Sequence, residues 1–133
     1  MTPAPGSPRI AFRVDASIEI GTGHVMRCLT LAAALSERGA ACVFLCRPHD
    51  GHLMGFISAQ GFPALALPPL SASNAKTVAN DPSHAAWLGT GWAEDASDSL
   101  AALAGHFGST AVDWLVVDHY ALDARWEKAL RPA

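Results

Sequence analysis

Short apolar runs alternate along this chain with longer segments in which apolar residues recur at helical spacing. Because the runs are apolar throughout, they are typical of strands that are buried on both faces of a parallel sheet. The predicted strands are 9–14, 41–46, 64–67 and 114–117. The predicted helices are 23–38, 53–60, 93–107 and 122–130, with a further helical turn within 84–91. This alternation predicts an α/β fold, a Rossmann-like parallel sheet with right-handed crossovers and helices on both faces.

Glycine and proline mark the limits of these elements. Gly39 follows the first helix where a left-handed C-cap is favoured, and Gly61 follows the second. Residues 1–8 are rich in proline and are predicted to lack fixed structure, so the folded domain is predicted to span 9–133. Residues 70–83 show no period and are predicted to form either a mobile surface loop or part of a lid over a ligand.

The turn between the first strand and the first helix carries the most distinctive chemistry. Gly21 and Gly23 flank Thr22, and His24 follows in the first turn of the helix. Glycines permit a tight turn or a close ligand, and a helix N-terminus favours a nearby anion. The same positive end favours a neutral imidazole, which makes His24 a candidate general base. The motif alone is weak, since it lacks the third glycine of a dinucleotide fingerprint and the Lys-Ser/Thr of a P-loop, and His24 could simply start the helix.

A second polar turn follows the last predicted strand and contains Asp118, His119 and Tyr120. Ligands of parallel sheets bind outside the carboxyl ends of the strands, so this turn and the 21–24 turn are predicted to meet at one edge. Asp118 and His119 could instead only end the strand, and a structural role is favoured for His119. Tyr120 could contact a ligand or form an interdomain hydrogen bond.

Composition narrows the function classes. The 133 residues are 50% hydrophobic and 16% charged with a net charge of −3, as in one globular domain with a real core. No basic patch suggests a nucleic-acid partner. There is no secretory signal and no apolar stretch of the ~20 residues that a membrane helix needs, so a cytoplasmic protein without a membrane partner is expected.

The cysteines, histidines and tryptophans do not point to a further functional site. The three cysteines are predicted to be reduced core residues, and the histidines lack the spacing of a zinc site, so no metal is expected. The four tryptophans are interpreted as core or domain-interface residues. They are Trp87, Trp92, Trp114 and Trp126.

Several blocks of sequence resemble one known family. They are GTGHVMR at 21–27, FLCR at 44–47 with GHL at 51–53, EDA at 94–96, and DWLVVDHY at 113–120. In this order and at this spacing the chain resembles the N-terminal half of the UDP-sugar hydrolases of pseudaminic acid biosynthesis (PseG-like). The resemblance covers nearly all of the chain after the proline-rich tail.

This resemblance implies a two-domain protein of the GT-B glycosyltransferase type, with the active site between two Rossmann-like halves. It implies hydrolysis of UDP-2,4-diacetamido-2,4,6-trideoxy-β-L-altropyranose to UDP and free sugar, with His24 as general base and with no metal or other cofactor. The C-terminal nucleotide-binding domain, an expected intramolecular partner, is absent from these 133 residues. The chain alone is therefore expected to have little or no activity, and its bare cleft face is expected to favour self-association.

Substrate contacts are assigned to residues of the two turns. Asp15 would hydrogen-bond the sugar or, equally, cap the turn backbone. Arg27 would approach the diphosphate or, more simply, form an ion pair with Asp118. The assigned substrate-binding residues are Asp15, Gly21, Thr22, Gly23, Arg27 and Tyr120.

Two other functions compete with the hydrolase. The first is a MurG-like glycosyltransferase of the same architecture, which would use a hydroxyl acceptor in place of water. The apolar residues within 53–57 lack the surrounding Lys and Arg of a membrane-facing patch, which disfavours it. The second is a non-catalytic module that binds sugar nucleotides or assembles with other chains.

Overall fold

Four parallel strands form one sheet in the computed structural model, which describes residues 6–69 and 85–131. The strands are β1 (Arg9–Val14), β2 (Ala41–Cys46), β3 (Ala64–Ala66) and β4 (Trp114–Asp118), in the order β3-β2-β1-β4. Phe12 of β1 lies between Phe44 of β2 and Val116 of β4, and the two phenyl rings stack 4.8 Å apart. The predicted Rossmann-like α/β sheet is confirmed, each strand to within one residue.

Helices connect the strands, and their bounds lie within two residues of the predicted ones. They are α1 (Gly23–Glu37), α2 (Met54–Ala59), α3 (Trp92–Phe107) and α4 (Ala124–Leu130), with a 3-10 turn at Ala85–Leu88. Gly39 adopts a φ of 94°, and its N–H bonds to the Ser36 carbonyl, so the left-handed residue predicted after α1 is confirmed.

Helices cover both faces of the sheet, as predicted. On one face, Val25 and Ala32 of α1 and Ile57 of α2 pack on the phenylalanines of β1 and β2. On the other face, Leu103 of α3 and Leu130 of α4 belong to a second core cluster with Ala11, Val43 and Leu45. Burial on both faces explains why the strand sequences are apolar throughout rather than alternating.

The strand order contains a switch point. From β1 the chain adds β2 and then β3 on one side, and it then returns to the other side of β1 to add β4. The connections that follow β1 and β4 therefore diverge, which leaves a crevice outside their carboxyl ends. The 21–24 and 118–120 turns lie at this crevice.

Two sequence-based predictions lie wholly or mostly outside the described residues: the unstructured tail at 1–8 and the loop at 70–83. Within 6–69 and 85–131, no helix is long and apolar enough to cross a membrane. All three cysteines are free and buried, as predicted.

The tryptophans divide between core and surface. Trp126 of α4 is fully buried, whereas Trp114 is 71% exposed. Trp114 begins β4, which is an edge strand, so its ring is not covered by a further strand. A core position is therefore wrong for Trp114, and a domain-interface role stays a prediction.

Candidate functional site

His24 lies where the two polar turns meet. It is the second residue of α1, and its side chain is 12% exposed. Its Nδ1 lies 2.7 Å from Oδ1 of Asp118, the last residue of β4. The predicted meeting of these turns at one edge is thereby confirmed across 94 residues of sequence.

Asp118 fixes which nitrogen of His24 carries a proton. Hydrogen bonds from Arg27 lower the pKa of Asp118, and the contact with His24 lowers it further. Partial burial acts in the opposite direction, and the resulting pKa is about 2. An ionised carboxylate only accepts hydrogen bonds, so Nδ1 of His24 donates to it. In the neutral ring the lone pair then lies on Nε2, as a general base requires.

Arg27 is the second cation on this carboxylate. Its Nε and Nη2 donate to the two oxygens of Asp118, each at 2.5 Å. The ion pair foreseen for Arg27 is therefore confirmed. The Arg27 side chain is 61% exposed, and a contact with a diphosphate stays a prediction.

Aromatic rings form one wall of the crevice. The Tyr120 ring meets the His24 ring edge-on, with centroids 4.8 Å apart and planes at 84°. The rings of Trp87 and Tyr120 stack, with centroids 6.4 Å apart. Tyr120 is 54% exposed, and a ligand contact or an interdomain hydrogen bond through its phenol stays a prediction. A neighbouring cavity of about 390 Å³ shares Trp87 with this crevice and is lined by the loops after β1 and β2.

The glycine-rich turn is tight at its first glycine only. Gly21 has a φ of 81°, and its N–H donates to the Ser17 carbonyl at 2.8 Å. Thr22 precedes α1 without a side-chain cap, and both it and Gly23 are exposed. A Cβ on Gly23 would meet nothing within 4 Å, so the fold itself leaves room for a side chain there. Contacts of these three residues with a substrate stay predictions.

Asp15 does not lie on the crevice surface. It is 1% exposed, and its carboxylate accepts hydrogen bonds from the Arg47 backbone N–H, His49 and His119 as well as from Arg13. Burial raises its pKa, but the charge of Arg13 and the histidine hydrogen bonds outweigh burial and hold the pKa well below its usual value. A direct sugar contact does not fit this carboxylate. Asp15 instead joins the loops that follow β1, β2 and β4.

Beneath the crevice lies a buried ionic cluster that sequence reasoning missed. Arg13, next to the carboxyl end of β1, donates to Asp95 of α3 at 3.0 and 2.6 Å. Arg47 donates to the same carboxylate at 2.6 Å. The indole N–H of Trp126 also bonds to Asp95, at 2.9 Å. Burial raises the pKa of Asp95, but Arg13 and Arg47 outweigh it and lower the pKa. The cluster thus ties the sheet to α3 and α4 below the site.

His119 occupies the structural position that the sequence favoured. It is 8% exposed, and its Nε2 lies 2.9 Å from Oδ2 of Asp15. The sequence predicts Arg27 as a partner of Asp118, but it does not predict the second partner, His24. The shared strand-end placement of the two turns was the signal for it.

Comparison of the chain with models of protein families gave no match, and comparison with curated proteins gave none either. The fold and the site therefore define the class: an α/β protein with a histidine–aspartate pair at the switch point of its sheet. Among the described residues, no group of three or more metal-ligating side chains is arranged to hold a metal ion.

Proposed function

We propose that this chain carries the catalytic base of a sugar-nucleotide hydrolase of the GT-B type. The substrate is a UDP-linked 2,4-diacetamido-2,4,6-trideoxy sugar of pseudaminic acid biosynthesis, and the products are UDP and the free sugar. The observation that supports this most is the 2.7 Å contact between His24 and Asp118 at the switch-point crevice. Both residues lie within the sequence blocks that resemble the hydrolases of that pathway.

The proposed mechanism needs one base. Nε2 of His24 takes a proton from water while the water oxygen attacks the anomeric carbon, and the bond from that carbon to the UDP oxygen breaks. UDP leaves as a stable anion, so no strong general acid is required. Ordinary glycosidases use two carboxylates because their leaving group is poor. Asp118 stabilises the imidazolium that forms on His24, as the carboxylate does in a catalytic triad.

Positive groups near the crevice suit the departing nucleotide. The free N–H groups at the start of α1, a helix of 15 residues, face an anion favourably. The exposed guanidinium of Arg27 lies one helical turn further on, 3.2 Å from Nδ1 of His24. In this proposal both act on the diphosphate, while a second nucleotide-binding domain supplies most of the uridine contacts.

Release of UDP from the authentic UDP-sugar tests the proposal. The 133-residue chain alone is expected to give little or no release, because the nucleotide-binding half is missing from the assay. A chimera that joins the C-terminal half of a pseudaminic acid UDP-sugar hydrolase after Arg131 is expected to release UDP without an acceptor. Release only with an added hydroxyl acceptor would favour the glycosyltransferase, and binding without any release would favour the non-catalytic module.

Asp118→Asn is expected to lower kcat of the chimera about 100-fold, because an amide can present N–H to Nδ1 and favour the wrong tautomer. KM is expected to stay within about twofold, since the base acts on water rather than on the sugar. Steady-state UDP release measures both. Asp123→Asn, at the N-cap of α4, is the matched control and should leave kcat unchanged. Equal losses in the two variants would contradict the role of Asp118.

A further inference from the structure

In the sequence, His119 stands between Asp118 and Tyr120, the two residues whose side chains contact the candidate base His24. Asp118, before it, bonds to His24, and Tyr120, after it, places its ring edge-on to His24. The His119 side chain itself is buried, with Nε2 2.9 Å from Oδ2 of Asp15. The same turn therefore sends two side chains to the crevice and one into the protein.

The hydrogen bonds of His119 define its protonation. Its Nδ1 accepts the backbone N–H of Ala121 at 3.1 Å, so Nδ1 carries a lone pair. The ring proton then lies on Nε2, which donates to Asp15. The His119 carbonyl also accepts the N–H of Leu122 at 3.1 Å. A neutral His119 thus pins the 118–122 backbone to the end of β1.

We propose that His119 is a positioning residue: its neutral ring holds the 118–121 turn so that Asp118 and Tyr120 face His24. We further propose that protonation of the ring breaks its contact with the turn and releases it, and we call this pH-dependent contact the latch. A protonated imidazole donates from both nitrogens. Its Nδ1–H would then point at the N–H of Ala121, which leaves two donors facing each other. The meaning of this latch for catalysis rests on the proposed function, whereas the geometry of the turn can be measured without any substrate.

Charged groups from three elements decide how readily the latch opens. Burial lowers the pKa of His119 below its ordinary value and outweighs both the hydrogen bond that His119 donates to Asp15 and the negative charge of Asp15. Arg13 of β1 also disfavours a second positive charge, while Asp95 of α3 favours it. His49, from the loop after β2, competes for the same oxygen of Asp15. The turn is therefore closed at neutral pH and opens in acid.

Nuclear magnetic resonance of the ¹⁵N-labelled chain tests this proposal through the tautomer of His24 and the exchange rate of the Ala121 amide. His119→Ala removes both contacts of the ring. It is expected to speed Ala121 exchange at least about tenfold and to replace the single His24 tautomer by a mixture. His119→Asn keeps an acceptor for the N–H two residues on but does not titrate. At neutral pH it is expected to keep the wild-type protection of the Ala121 amide and the single His24 tautomer, and its Ala121 signal should no longer titrate.

His106→Asn, an exposed histidine of α3, is the matched control and should change neither signal. In the wild type, the Ala121 signal should titrate together with the His119 ring. The positioning role is overturned if His119→Ala speeds Ala121 exchange while the His24 tautomer stays single. The latch is overturned if the Ala121 signal of His119→Asn titrates as in the wild type. Because this result comes from His119→Asn, it tests the latch even if His119→Ala fails to fold. Ala121 exchange and the His24 tautomer are both measured without substrate. A lack of hydrolase activity would therefore overturn the proposed function and leave this inference unaffected.

Discussion

Replacing His24 by asparagine is expected to lower the rate of UDP release about 10²–10⁴-fold, the usual contribution of general-base catalysis. Asparagine keeps an N–H close to the position of Nδ1, so the hydrogen bond to Asp118 at the end of β4 can persist. It has no group that takes a proton from water. The loss should therefore fall on kcat, with KM nearly unchanged, because the interaction is made only in the transition state.

The measurement uses the chimera that contains a nucleotide-binding half, with UDP quantified over time. His24→Ala is a second variant that also loses the hydrogen bond to Asp118, and it is expected to be at least as slow. His52→Asn, in the loop after β2, controls for the loss of a histidine outside the crevice and should retain the wild-type rate. Retention of kcat within about threefold in His24→Asn would show that another group activates the water.

Most of the fold could be predicted from local sequence, because local rules determine it. The apolar runs at β1, β2 and β4 have the pattern of strands buried on both faces, and the structure buries them between two helical layers. Gly39 predicts the end of α1 because a left-handed residue is favoured there, and its φ of 94° agrees. Strand order, in contrast, follows from long-range packing, and no local signal showed that β4 would lie beside β1 as an edge strand.

The site was predictable in place but not in detail. The placement of both polar turns after strands was sufficient to bring His24 and Asp118 to one edge. The burial of Asp15 could not be predicted, because a polar residue after a strand gives no sign of whether its side chain turns outward or inward. Its partner is Arg13, two residues earlier. An arginine within a strand that is apolar on both faces signals a buried charge, and a buried charge requires a partner.

The partners of Arg13 also explain why the buried cluster was missed. Asp95 lies 82 residues further along the chain. It belongs to a block that resembles the UDP-sugar hydrolases, but nothing in that block indicates a contact with Arg13. On α3 it occupies the buried side of the helix next to Ala96 and Ser99. A carboxylate on the apolar face of a helix and an arginine in a buried strand are each anomalous alone. Taken together they predict one another, which a single-sequence search for buried charges can use.

Arg13→Met is expected to destabilise the fold by about 3–5 kcal/mol, the largest stability effect that we expect of a single substitution in this chain. Methionine fills much of the arginine volume, but it leaves Asp15 and Asp95 buried without their shared cation. Urea unfolding followed by circular dichroism measures the change. Arg125→Met is the matched control, because the Arg125–Asp123 pair is about one-third exposed, and such pairs contribute about 1 kcal/mol or less.

The pH dependence separates the loss of charge pairing from a loss of packing. In the wild type the pKa values of Asp15 and Asp95 lie below their ordinary 3.8, so their contribution to stability is present above about pH 4 and is lost as the pH falls further. Without Arg13, only Arg47 still opposes burial at Asp95 and only the two histidines oppose it at Asp15, so we expect the pKa of both carboxyl groups to rise toward mild acid. The destabilisation by Arg13→Met should therefore be smaller at about pH 5 than at about pH 8. A penalty that is the same at both values would mean that the arginine stabilises the sheet through packing alone, and that the buried ionic cluster contributes little to holding the crevice above it.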